Sequence, residues 1–394
     1  VKITCVLGPF LPVPTVRGGA VEKIWLALCR ELAGLGHDVT LISRRYGNLP
    51  EQETVDRVRY LRVPSFDAPR SRPIYRFLDI VYALRVCRVL PSSDVTVTNS
   101  VFLPLVIPRR RAGAIYVSVA RFPKGQMGWY RRADRLQAVS EVVAEAIRRQ
   151  APALATRVRT LPNALAEEFF AAPPSGECGP REAEILYVGR IAREKGIDLL
   201  IRSFARVAPG RDWCLTILGP AQANAGGDGP DFLSALREMA ADLGGRVRFE
   251  EPIFDDRQLA LRLRRAAIFV YPSIAEQGES FGMAPLEAMA CGCAVIVSSL
   301  TCFRDFVEPD CNAITFDHRQ DAVRNLAICL ERLMDHPGLR ADLAREGAKG
   351  AQRFRASEIA QRFALDFASL SDTPDPSYLP GQASDAGATQ ASRP

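Results

Sequence analysis

Short runs of Val, Ile, Leu and Ala recur along the first half of the chain: KITCVLG, DVTLIS, VRYLRVP, DVTVTNS, AIYVSVA, RLQAVS and VRTLPNA. Most are near-continuously apolar, which marks strands covered on both faces. Longer stretches with helical spacing lie between them. One covers residues 19–35 and is closed by Gly36; a mostly apolar one covers residues 74–90. Strand and helix in alternation predict a parallel sheet with helices on both sides.

The pattern breaks at AAPPSGECGPR, where Pro and Gly crowd without periodicity, and residues 171–182 read as a linker. It then restarts with EILYVGR, a helix from about Gly196, and WCLTILGP, RVRFEEP, AAIFVYPS, CAVIVSS and AITFD. The predicted fold class is α/β: two tandem Rossmann-like, doubly wound domains facing a cleft, over residues 1–170 and 183–356. A helix over residues 357–371 follows, then a Pro/Ser/Ala/Gly-rich tail, 372–394, expected to be disordered. The glycine-rich loop 219–231 is expected to be mobile. Ligands of such sheets bind beyond the carboxyl ends of the strands.

Composition adds limits. The chain of 394 residues is 47% hydrophobic and 24% charged, as expected for globular domains with large cores. No apolar run approaches the ~18 residues of a membrane span, and the start reads as a strand and loop, so a cytoplasmic protein is expected. The ten cysteines are scattered. Cys291 and Cys293 have no neighbouring His or Cys cluster, so no metal site is expected. Charge is uneven: residues 1–175 hold 26 Lys and Arg against 14 Asp and Glu, and the remainder hold 25 against 31. A basic half suits an acidic partner, or it reflects solvated arginine faces. There is no basic–aromatic platform or finger motif for nucleic acid.

The chemistry concentrates in EQGESFGMAPLEAMACGCAVIVSS. A turn before a helix presents the amides of Ser280, Phe281, Gly282 and Met283, an anion-binding arrangement. Glu279 and Glu287 would repel a lone phosphate but accept well from sugar hydroxyls. A ligand with polyols on both sides of a diphosphate satisfies both features; helix capping and a surface carboxylate are the plainer alternative. In YVGRIAREKGIDLL, Arg190 and Lys195 follow a strand and precede a helix, placed to hold the diphosphate or simply solvated. In RGGAVEKIW, Gly18 and Gly19 put permissive backbone at the cleft, or make only a tight turn.

These segments resemble the retaining, nucleotide-sugar-dependent glycosyltransferases of GT-B fold that carry an E-x7-E motif. The resemblance covers most of the chain and is most specific in YVGRIAREKGIDLLIRSF and YPSIAEQGESFGMAPLEAMACGCAVIVSS. It implies that Arg190 and Lys195 bind the donor diphosphate, that Glu279 holds the donor sugar with backbone near Phe281 and Gly282, that Glu287 binds the ribose, and that Gly18 and Gly19 lie beside the donor phosphate. It implies no cofactor and no metal requirement, a terminal helix crossing back to the first domain, and attack on the face from which the diphosphate leaves.

The chain departs from the family where many members carry a first-domain histidine. VARFPKGQMGWY has Ala120 and Arg121 instead, which makes Arg121 and Lys124 the acceptor-side candidates. His37 sits in a turn; His318 and His336 read as isolated. The expected activity is transfer of a hexose-type sugar from a nucleoside-diphosphate sugar to a glycan, lipid-linked or small-molecule acceptor, in cell-surface polysaccharide or glycolipid synthesis. Arg109–Arg111, Arg131–Arg132 and Arg148–Arg149 suggest an anionic membrane surface at the inner face. The alternatives are a sugar-nucleotide epimerase or hydrolase, or a non-catalytic partner subunit.

Overall fold

The computed structural model describes residues 1–14, 19–69, 71–172 and 181–370. The tail and most of the linker lie outside them. The chain forms two sheets. The first contains β1 (Lys2–Val6), β2 (Asp38–Arg44), β3 (Gln52–Val55), β4 (Val58–Val63), β5 (Val95–Thr98), β6 (Ala114–Val119), β7 (Arg135–Ala138) and β8 (Val158–Thr160). Its order is β3-β4-β2-β1-β5-β6-β7-β8. The second contains β9 (Glu182–Val188), β10 (Cys214–Leu218), β11 (Val247–Glu250), β12 (Ala266–Tyr271), β13 (Ala294–Ser298) and β14 (Ile314–Phe316), in the order β11-β10-β9-β12-β13-β14. Both are doubly wound, with the order reversing between β1 and β5 and between β9 and β12. Every pairing is parallel except β3 with β4.

Strand β3 is the one the apolar pattern does not reveal. Gln52, Glu53 and Thr54 give it no hydrophobic face, and its polar residues suit an exposed sheet edge. It turns into β4 through Asp56 and Arg57, both at positive φ, without the Asn-Gly pair that signals such a hairpin. In the second half, helices Ala322–Asp335 and Pro337–Ala351 pack around the sheet and complete its core.

The carboxyl ends of the two sheets face each other, and contacts cross between them. Lys23 Nζ reaches Asp256 Oδ1 at 2.6 Å and the Phe254 carbonyl at 2.5 Å. The Ser140 hydroxyl donates to the Ser280 carbonyl (2.6 Å), the Ser280 hydroxyl to the Ala120 carbonyl (3.0 Å), and the Glu141 amide to Asp305 Oδ2 (3.0 Å). All these residues follow strand ends, so the loops that carry chemistry in such folds meet in one cleft.

The chain passes between the sheets twice. On the way out, the carbonyls of Glu168, Phe169 and Ala171 already accept from Arg264 of the second unit. On the way back, Leu165 pairs with the chain at Phe354 and Ala356. The last helix, Ala356–Ala368, lies on the first helix, Ala20–Gly34. Phe363 packs edge-on to Trp25 with centroids 5.2 Å apart, and Phe367 meets Tyr116 at 5.0 Å. Asp366 accepts from the Tyr116 hydroxyl at 2.9 Å and pairs with the mostly buried Arg135 at 2.9 Å. Removing one partner of a buried pair leaves an uncompensated charge. Asp366→Ala is therefore expected to lower stability by about 3 kcal/mol, and Asp366→Asn by less, as read by urea denaturation.

Candidate functional site

The second sheet's switch point builds the centre of the site. The loop after β9 and the loop after β12 are joined at Glu194, whose carbonyl accepts from the Ile274 amide at 2.9 Å and the Ser273 hydroxyl at 3.3 Å. Gly196, at φ 66°, lets the next helix start here: a Cβ at that position would stand 2.3 Å from the Pro272 carbonyl oxygen. This brings Lys195 and Glu279 together. Lys195 Nζ lies 2.6 Å from Glu279 Oε2, and Lys195 is only 4% exposed. The Tyr271 hydroxyl donates to the same oxygen at 3.0 Å, and the Lys195 ammonium sits 5.4 Å from the Tyr271 ring centre. The Tyr187 ring stacks on Tyr271 at 5.9 Å. Burial, and then the Glu279 charge, push both phenols well above their usual range, so Tyr271 stays a neutral donor.

Arg190 is not part of that buried pair. Its side chain is 42% exposed, with Nη1 on the Gly226 carbonyl at 2.7 Å and Nη2 on Glu194 Oε1 at 2.8 Å. The glycine-rich loop does the holding. The Asp228 amide donates to the Ile191 carbonyl at 3.0 Å, and Asp228 Oδ2 accepts from the Arg193 amide at 2.6 Å. The loop expected to be mobile is thus tied to the strand end that carries Arg190.

Beyond Glu279 the chain turns into the helix Met283–Ala290. Gly282 precedes it at φ 91°, and a Cβ there would meet Phe303 Cε1 at 2.5 Å. No side chain caps this helix, and among the described residues the amides of Ser280, Phe281, Gly282 and Met283 meet no acceptor. The Ser280 side chain is spent on Ala120, and Phe281 is buried against Phe306 and Phe354, so their free groups are backbone only. Glu287 is half-buried in the helix. Burial, helped by Asp256 and opposed by Lys23, pushes its carboxyl up to about 7.

Across the cleft, Gly19 starts the first helix at φ 118°; Gly18 lies outside the described residues. A Cβ on Gly19 would stand 2.6 Å from Glu22 Oε2. Glu22 is a residue that the sequence analysis did not single out. In a first helical turn it reads as a complement to the helix dipole, yet it is 6% exposed and, among the described residues, its carboxylate accepts only from its own amide. Burial raises its pKa and the nearby Arg121 opposes that. Tyr75 and Asp79 border the same region. Asp79 is buried on the Ser100 hydroxyl (3.1 Å) and the Phe102 amide (2.9 Å). Arg121 is exposed and directly follows Ala120, which touches Ser280. Lys124 is exposed three residues further along the same loop, which is tied to Gln126 and Gln150, and among the described residues no hydrogen bond or ion pair joins its side chain to the cleft.

His318 is not isolated. Its Nδ1 lies 3.2 Å from the Ser299 hydroxyl and its Nε2 3.0 Å from Glu276 Oε1, bracing the loop that leads to Glu279. Local sequence cannot show this, because the three residues come together only through β13 and β14. Cys291 and Cys293 are buried among backbone carbonyls, and among the described residues no group of three or more metal-ligating side chains gathers.

A family model for glycosyl transferases group 1 matches residues 176–350, and a glycosyltransferase family 4 model matches residues 18–169. The D-inositol 3-phosphate glycosyltransferase of Frankia alni is 35% identical over 185 residues, 45% of this chain and 43% of that protein. The chain thus spans less than half the length of the curated relatives it matches. Among solved structures, sucrose-phosphate synthase from Thermosynechococcus elongatus matches with a TM-score of 0.73 and 21% identity, covering 94% of this chain and 99% of that one. Anabaena HepE in complex with UDP and glucose matches at 0.72 and 17%, covering 94% and 100%. These two are likenesses of fold.

Lys195→Ala is expected to lower stability by about 3 kcal/mol by stranding the Glu279 carboxylate. Adding Glu279→Ala should then cost less than the sum of the single changes. Strictly additive losses in denaturant titrations would mean that the two side chains do not act as a pair.

Proposed function

The chain belongs to the glycosyltransferases of GT-B fold, and from that premise we propose that it moves a hexose-type sugar from a nucleoside-diphosphate sugar to an acceptor hydroxyl with retention at C1, in cell-surface polysaccharide or glycolipid synthesis. The observation that carries this reading is the buried Lys195–Glu279 pair at the strand ends, beside four amides that meet no acceptor among the described residues.

The roles follow from charge and reach. The amides of residues 280–283 and the exposed Arg190 receive the diphosphate. Lys195 supplies positive charge near the oxygen that becomes more negative as the C1–O bond breaks; a preorganised donor there is worth about 3–4 kcal/mol of barrier. Glu279 accepts from sugar hydroxyls and Glu287 from the ribose. Gly19 flanks the phosphate from the other side. Glu279 is held by an ammonium and a phenol, which makes it a poor nucleophile. Front-face attack is the better route: the acceptor oxygen bonds to C1, the C1–diphosphate bond breaks, and the acceptor's proton passes to the departing phosphate. No metal takes part in this scheme.

Arg121 and Glu22 face the acceptor, Arg121 offering a cation and Glu22 a buried carboxylate beside it; Lys124 remains a candidate only through movement of its loop. Among the described residues no helix is long and apolar enough to cross a membrane. A cytoplasmic enzyme meeting a lipid-linked acceptor at the inner membrane face is the setting that fits the basic first half. Not every arginine there is available: Arg109 pairs with Asp134 and Arg148 with Glu141.

Calorimetric titration with UDP, GDP and ADP and their sugars, without metal, is expected to show binding of one diphosphate, weakened about tenfold or more in Arg190→Ala. Binding to none of them would favour a non-catalytic partner subunit. Glu279→Ala should lower turnover about 100-fold or more. An ionised Glu287 is the form that accepts from ribose, so affinity should rise with pH through about 7. The diphosphate itself also titrates, so the contribution is read as the difference from Glu287→Gln, in which that rise is absent.

A further inference from the structure

The helix Arg72–Val89 has one face that the first domain does not use. Asp79, Tyr82, Ala83 and Val86 point inward and are buried. On the opposite side, at spacings of three and seven, stand Ile74, Phe77 and Leu84, which are 51%, 62% and 48% exposed. Large apolar side chains in a row on a solvent-facing stripe are unusual for an isolated domain surface. Arginines frame the stripe: Arg72, Arg76 and Arg88 are exposed, and Arg85 lies over the Phe66 ring at 4.9 Å. The helix has a single acidic residue, Asp79, and it is the one turned inward. The exposed face is therefore apolar along its middle, cationic at its edges and free of negative charge.

The surface continues past the helix. Cys87 Sγ contacts the Val106 carbonyl at 3.8 Å, and Arg111 reaches the Arg88 carbonyl at 3.5 Å. Val106 is exposed there, and so is Trp129, stacked on Phe102 at 6.2 Å. Arg110 and Arg131 are exposed and add further cations to the first half. An apolar helical face rimmed by arginines, with an indole at its border, matches the interface of a bilayer, where rings sit at headgroup level and cations meet anionic lipids. Nucleic acid would call for exposed polar contacts in place of the apolar stripe, and the complete lack of acidic side chains on the exposed face of this helix favours an anionic surface over a second copy of the chain.

We propose that this face is a docking surface for an anionic phospholipid bilayer, with Ile74, Phe77 and Leu84 entering the headgroup region and Arg72, Arg76 and Arg88 resting on lipid phosphates. The same helix also borders the acceptor side of the cleft, where Tyr75 packs on Phe10 with ring centres 4.3 Å apart. Docking through its outer face brings the bilayer surface next to the groups that receive the acceptor. The docking itself does not depend on the proposed sugar transfer, and lipid binding and nucleotide binding are measured separately.

The test is flotation of the full chain with vesicles of phosphatidylcholine alone and of phosphatidylcholine mixed with phosphatidylglycerol. Binding to the mixed vesicles is expected, with little to the neutral ones, and it should weaken as salt is raised. The Trp129 emission should shift to the blue on binding. The triple variant Ile74→Ser, Phe77→Ser, Leu84→Ser, and separately Arg72→Glu with Arg76→Glu, should each lower partitioning about tenfold or more while nucleoside-diphosphate binding in calorimetry stays at the wild-type value. No binding, or binding unchanged in both variants, overturns the proposal. So does a dimer in light scattering that disappears in the triple variant, which would assign the face to a second copy of the chain.

Discussion

A lysine and a glutamate that share almost no solvent fix the centre of this molecule. Two opposite charges are taken from water at the junction of two loops, and each is tolerated only because the other is 2.6 Å away. That constraint reaches outward. Tyr271 must present its hydroxyl to the same carboxylate, Tyr187 must stack behind it, and Gly196 must adopt a left-handed conformation so that the following helix can start against Pro272. The loops after β9 and β12 behave as one piece because they share this pair and the Glu194 carbonyl.

The second organising feature is that both halves contribute to one cleft through the loops and helix starts that follow their strands. Ser280 illustrates it: its carbonyl and its hydroxyl are both taken by the first domain, through Ser140 and Ala120, while among the described residues its amide meets no acceptor. The residue therefore ties the position of one domain to the turn that starts a helix of the other. Lys23 does something similar from the opposite side, since its contact with Asp256 enters the electrostatic surroundings of Glu287. The contact between the two halves and the ionisation of Glu287 are coupled through Lys23 and Asp256.

Much of this was legible in the chain because parallel strands are buried on both faces and announce themselves as apolar runs. AAIFVYPS and CAVIVSS correspond to β12 and β13, and the alternation with helices carries the fold class. What escaped was information that is not local. Strand β3 has no apolar face to detect. Lys195 looks the same in sequence whether it ends in solvent or against Glu279, 84 residues away. Glu22 resembles any acidic residue in a first helical turn, and only the packing around Gly19 reveals that it is enclosed. His318 appeared solitary because Ser299 and Glu276 approach it across neighbouring strands. The glycine at 226 also permits a close approach that the local sequence does not reveal: a Cβ there would press on the Arg190 side chain at 2.9 Å.

The return of the chain at Leu165 and Arg355 has a mechanical meaning. The outgoing and returning segments lie side by side and are hydrogen-bonded to each other in parallel, Leu165 to Phe354 and Ala356 to Leu165. This one-residue bridge is a pin between the two crossings of the chain: it ties the end of the first half to the start of the last helix, so the segment that leaves and the segment that returns hold each other in register.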